Sequence, residues 1–228
     1  MVASLLVMSF LAGVAGTLLL GVVLRTQAAV RRDASRLAAG EAIFLVAYST
    51  NTQGMPSPRY RDRLNLACKL WGRTRLPIWC LGGLLAGRGR TNGVDSKRYL
   101  QALGVPPEAV RTIDEFSFLG ECVETIQEVE AACELARRFR VRHLIVVGDI
   151  LHLAQVRLVL SAEIEATLVA SASIRSGQWF DPYYLAVRCA ALLATLIDRR
   201  GRVLGWLRAW RSGRCLARQR GARHRTQD

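Results

Sequence analysis

The chain has three histidines, and His152 is the one placed where it could do chemistry. In HLIVVGDILHLAQVR, an apolar, β-branched run ends at Asp149 and His152 follows three residues later. At that spacing a carboxylate can hold an imidazole. A helix amino terminus keeps the ring neutral, which suits a donor–acceptor or general-base role near neutral pH. The same pair also fits a partly buried, hydrogen-bonded ring with no ligand. Glu121 opens the stretch ECVETIQEVEAACELARRF. A carboxylate is favoured there by exposed helix amides whether or not it reacts. Gly82 and Gly83, in LGGLLAGRGR, would let a backbone approach an anion closely or would simply turn the chain. That segment has neither G-K-[ST] nor G-x-G-x-x-G, so it is not a phosphate loop of either known pattern. No H-E-x-x-H, G-x-S-x-G or carboxylate cluster is found, which leaves no signal for a metal or serine-hydrolase site.

These residues need a scaffold, and the hydrophobic pattern supplies one. Short apolar runs at AIFLVAYST, LPIWCLGG, AVRTIDE, HLIVVGDI and EATLVASA read as five strands. Between them lie helical patterns at RYRDRLNLACKLWGR, SKRYLQALGV, ECVETIQEVEAACELARRF and HLAQVRLVLSA, and DPYYLAVRCAALLATLIDRR follows the last strand. Strands without alternation, separated by helices, predict an α/β fold: a doubly wound, mostly parallel, Rossmann-like sheet covered on both faces. In such sheets ligands sit beyond the carboxyl ends of the strands, where Ser49–Pro58, Gly82–Gly83 and His152 would meet.

Both ends of the chain carry other signals. Met1–Leu24 holds no charged side chain. At 1.5 Å per residue it is long enough to cross a hydrocarbon core of about 30 Å, and it lacks the basic start of a cleavable signal peptide. It is therefore expected to be a single transmembrane anchor. Residues 25–41 read as a linker, 42–198 as the domain and 199–228 as a tail. Ten of the chain's 32 basic residues lie between Arg199 and Arg225, and the only acid after Asp198 is Asp228, so much of the net charge of +14 belongs to the tail. Arginines interleaved with Leu204, Trp206, Leu207 and Trp210 form a basic amphipathic pattern suited to an anionic lipid surface; nucleic acid is the less favoured partner. Arg25, Arg31 and Arg32 all follow the span, which favours a cytoplasmic domain. Cys68, Cys80, Cys122, Cys133, Cys189 and Cys215 show no disulfide or metal spacing, in keeping with a reducing compartment.

Taken in order, the motifs resemble the bacterial YdcF/SanA/ElyC-type family over about Ala42–Ala172. Its members have a loop and helix like GMPSPRYRDRLNLA, here with Gly54, Pro56, Arg63 and Ala67. A strand ending Ser-Gly-Gly, a helix leading to Gly-Val-Pro, an Asn-Thr-x-Glu turn and an x-His-x-x-Arg-Ala segment follow. Gly82–Gly83 and Gly104–Val105–Pro106 match outright, and Glu121 and His152 fall at the family's glutamate and histidine. Leu81 replaces the serine, Ser96 a common glutamate and Gln155 the usual arginine, with Arg157 nearby; SFLGEC lacks the Asn-Thr pair. The resemblance implies a Rossmann-like domain, often anchored and often periplasmic, concerned with envelope integrity and with cell-wall precursor or lipid-carrier handling. It also implies a nucleotide-like ligand in some members. The expectation is thus a small anionic ligand, nucleotide-like or phosphorylated, at the rim. Glu121 and His152 would act on it or orient it, and Arg63, Gly82, Gly83, Asp149, Gln155 and Arg157 would bind it. The alternative is a non-catalytic envelope scaffold with a decayed pocket.

Overall fold

The computed structural model describes residues 2–48, 50–51, 53–83, 90–119, 125–171 and 182–198. Five parallel strands, β1 (Ala42–Leu45), β2 (Ile78–Cys80), β3 (Val110–Thr112), β4 (His143–Gly148) and β5 (Glu165–Ala170), form one sheet in the order β3-β2-β1-β4-β5. The helices are α1 (Val2–Asp33), α2 (Pro58–Thr74), α3 (Asn92–Ala102), α4 (Thr125–Phe139), α5 (Ile150–Val159) and α6 (Pro182–Ile197). Each expected strand is present, trimmed at its ends, and the doubly wound reading holds.

β1 and β4 are buried along their whole length, as strands covered on both faces must be. One apolar layer joins Phe44, Val46, Leu144 and Val146 to α4 and α5; the other joins Ile43, Leu45, Ile145 and Val147 to α2 and α3. Pairing runs outward from the centre. Ile43 lies opposite Ile78 on one side and Ile145 on the other. Chain order reverses between β1 and β4. α2 and α3 carry the chain out to β3, and α4 brings it back to β4 on the opposite face. This is the switch point where the crevice of an open α/β sheet lies.

The helix starts are set locally. Pro58 occupies the first turn of α2, where its missing N–H costs nothing. The Thr91 side chain accepts from the Val94 amide to cap α3. Gly93 lets that helix sit against the end of β2. A Cβ on it would lie 2.4 Å from the Cys80 carbonyl oxygen, which is backbone and cannot rotate away.

One expectation needs correction. Residues 25–41, read as a linker, continue α1 to Asp33 and then form a 3₁₀ helix over Ala34–Ala39. Ala29 and Val30 pack on the α4–α5 side of the core, Thr26 is fully buried, and the Arg25 carbonyl accepts from Arg157 2.9 Å away. The polar composition that suggested a linker is the outer face of a docked helix. α1 is also the one helix among the described residues long and apolar enough to cross a membrane, with a mean hydropathy of 1.5 over Gly13–Arg32. Val14, Leu18, Leu20 and Leu24 are exposed along it. The Arg-rich tail, 199–228, lies outside the described residues.

Replacing Gly93 by alanine should lower stability by about 1–3 kcal/mol, the usual cost of overpacking. Gly72→Ala, where a Cβ meets nothing within 4 Å, should be neutral or slightly stabilising because alanine is the better helix former. Denaturant unfolding of the two variants side by side checks the pair.

Candidate functional site

The site begins with Asp149, the residue at which β4 ends. Its Oδ1 accepts from the amides of Leu151 and His152, each 3.0 Å away, so the carboxylate caps α5. Its Oδ2 faces Nδ1 of His152 at 2.8 Å and forms an ion pair with Nη2 of Arg63. Arg63 reaches this point from the middle of α2. Its Nη1 donates to the carbonyls of Val46 (2.9 Å) and Ala47 (3.2 Å), just beyond the end of β1. Three elements on both sides of the switch point are thus tied by one guanidinium and one carboxylate. Arg63 and His152 are fully buried and Asp149 nearly so.

The protons can be assigned. Nδ1 of His152 lies 2.9 Å from Nη2 of Arg63 as well as 2.8 Å from Asp149, and one nitrogen cannot serve both. An Nδ1 lone pair aimed at a carboxylate would be repelled, whereas Nδ1–H donating to it is a charge-assisted bond. Arg63 then spends its Nη2 proton on Asp149, and Nε2 of His152 is the acceptor nitrogen. Burial is the main force pulling the imidazole pKa down to about 3, with the Arg188 charge next and Arg63 adding to it; Asp149 opposes them. The ring is therefore neutral at pH 7, as its position at a helix start suggested. As a proton acceptor near neutrality, however, it is weak, because an effective general base has a pKa close to the working pH.

Around this cluster lie residues that the local pattern did not disclose. Tyr48 stands edge-on to His152, with ring centroids 5.7 Å apart, and the guanidinium carbons of Arg63 and Arg188 lie 5.0 and 5.6 Å from its ring centre. Arg188, from α6, is a half-buried cation; in sequence its only signal was to be the sole charge in the apolar run 183–197. The Ala47 amide donates to Glu128 of α4 at 3.0 Å, across 81 residues of chain. Asn92 donates to the Tyr48 carbonyl, and its buried Oδ1 has no hydrogen-bond partner among the described residues.

The sequence-derived site residues separate into groups. Arg63, Asp149 and His152 come together, while Gly82 packs against Ala47 and Asn92. The cradle at Gly82 is filled from within the protein. A Cβ there would lie 2.6 Å from that of Ala47 and 3.1 Å from that of Asn92. Gly83 is buried and its carbonyl accepts from the Asn92 amide at 3.0 Å. The two glycines therefore serve the packing of α3 on the sheet. Arg63 likewise spends its charge inside the protein and acts as a positioning residue. Gln155 donates to Thr195 of α6 at 3.0 Å. Arg157 lies eight residues beyond Asp149, roughly 12 Å along α5, and turns to α1 instead. Glu121 lies outside the described residues, as do 84–89 after β2 and 172–181 after β5; the α4 glutamate brought to the end of β1 is Glu128. Among the described residues no group of three or more His, Cys, Asp or Glu could hold a metal ion.

Two outcomes follow. Arg63→Lys keeps the charge but loses the planar fork, leaving buried acceptors unmet; unfolding should become easier by about 1–3 kcal/mol. For His152 the sign is set by the depressed pKa. Below the unfolded value of about 6.5 the unfolded chain takes up a proton that the native ring refuses, so stability falls as pH drops towards about 3. The slope from this ring alone is up to about 1.4 kcal/mol per pH unit. Unfolding of the wild type and of His152→Gln at pH 7, 6, 5 and 4 should show the variant losing less.

No family model matches the chain, and neither a curated protein nor a solved structure does.

Proposed function

We propose that this is a membrane-anchored, Rossmann-like protein that binds a small anionic ligand at the carboxyl edge of β1 and β4. The ligand class is nucleotide-like or a phosphorylated envelope precursor, and the role is in cell-envelope biogenesis or integrity. The single observation that supports it most is the Arg63–Asp149–His152 cluster, buried at the point where chain order reverses. Dry ionic groups are costly, and here they fix the backbone at the crevice where α/β sheets take ligands. Beside them the cation of Arg188 lies over the ring of Tyr48, which stands edge-on to His152. An anion with an aromatic base would match that set. The imidazole, neutral and fully buried, supports the rim through its bond to Asp149. The family reading rests on the order of the motifs from Gly54 to His152, with α1 as the anchor and the domain on the cytoplasmic side.

A second reading, a non-catalytic envelope scaffold, is favoured by two specific facts. Arg63 and Asp149 are paired with one another, and the glycine cradle is filled by Ala47 and Asn92.

Thermal-shift screening of the full chain in detergent against nucleotides, adenosyl cofactors and isoprenoid phosphates separates the two. On the binding reading at least one class raises Tm by several degrees. Arg188→Gln removes most of that rise, each rise being read against the unliganded Tm of the same variant. No rise with any class, or a rise that Arg188→Gln leaves intact, contradicts binding at this rim and supports the scaffold.

A further inference from the structure

A cavity of about 630 Å³ lies away from the candidate site, between α1, the carboxyl end of α5 and the edge strand β5. Ala29, Leu160, Ile164, Ala166 and Leu168 give it an apolar floor, and Arg32, Arg36 and Arg157 supply three cations. No acid is among its lining residues. Among the described residues Arg36 and Arg157 take part in no ion pair. Arg157 is fixed by its bond to the Arg25 carbonyl, so its guanidinium is held at the cavity and not left to trail in solvent.

The position of the cavity on α1 suggests its occupant. The uncharged stretch ends at Leu24, and Arg32 lies seven residues beyond Arg25, roughly 10 Å further along the helix. If α1 spans a bilayer, the cavity opens at the level of the headgroups just outside the hydrocarbon. We infer that it holds the phosphate of an anionic membrane lipid, a phosphodiester such as that of phosphatidylglycerol. The arginines bind the phosphate, and the apolar floor takes the glycerol and the first methylenes of the chains. Guanidinium suits this work because its fork matches two phosphate oxygens. A free phosphate would gain nothing from Leu160, Ile164 and Leu168, so the apolar half of the lining selects the lipid. The lipid would clamp α1 to the domain and fix the height of the sheet above the bilayer.

The inference rests on α1 being a membrane span, which carbonate washing of membranes containing the full chain reports separately. Binding is read by calorimetric titration of the full chain in detergent with dihexanoyl phosphatidylglycerol. Each arginine at a membrane surface contributes about 1 kcal/mol, or about fivefold in Kd. Arg32→Gln/Arg157→Gln should therefore weaken binding about 25-fold. Arg36→Gln alone, which breaks no hydrogen bond among the described residues, should weaken it about fivefold and guards against loss of the Arg157–α1 contact. Arg73→Gln/Arg98→Gln, with the same charge change on α2 and α3, should stay within about twofold, since exposed charges that far away are screened. Equal weakening by both double variants, an unaffected Arg36→Gln, or inorganic phosphate binding as tightly as the lipid would each overturn the lipid site. A chain that washes off membranes instead removes the premise about α1.

Discussion

The constraint on which the rest of this structure depends is the burial of one guanidinium. Arg63 is fully enclosed, and stranding its charge there by removing its partner would cost about 3–5 kcal/mol, a large share of a domain's net stability. Asp149 and the carbonyls of Val46 and Ala47 are what make the position tenable. Once that pairing is required, much else is settled. α2 must cross the end of β1, α5 must begin where β4 ends, and the two strands must finish level with one another. The imidazole of His152 is drawn in by the same carboxylate and kept neutral by the same burial. The cluster ties the ends of β1 and β4 to α2 and α5.

That arrangement separates two roles that look alike in a sequence. Arg63 and Asp149 are committed to the fold, because each is neutralised by the other. Arg188 and Tyr48 lie beside the cluster, and Arg188 is only half buried. A neutral imidazole with its proton held by Asp149 is a fixed acceptor. With its pKa held down to about 3, it is a weak proton acceptor near neutrality.

The architecture was legible because it rests on local physics. Apolar, β-branched runs such as His143–Gly148 carry their own signal, whereas α3, read from Ser96, starts four residues earlier at Asn92 behind its Thr91 cap. The pairing of Asp149 with His152 was legible for the same reason, being three residues apart. What stayed hidden depends on contacts between distant parts of the chain. Glu128 reads as an ordinary helix-surface acid, yet it accepts from Ala47 across 81 residues. Gly82 reads as a ligand cradle, yet α3 and Ala47 fill it. Arg157 belongs to the right helix but towards its other end, because eight residues of chain carry it from Asp149 away from the rim. The linker was misjudged because a helix docked by one narrow stripe leaves a mostly polar surface.

The most direct test is a double-mutant cycle on Arg63→Met and Asp149→Leu, read by equilibrium unfolding of the full chain in detergent. Exchanging both members of a buried ion pair for apolar groups is often nearly neutral, whereas removing one strands the other's charge. The account predicts that the double variant is far more stable than the sum of the single losses allows, with a coupling of about 2 kcal/mol or more. Losses that add to within about 0.5 kcal/mol would mean that guanidinium and carboxylate do not depend on each other, and would contradict it.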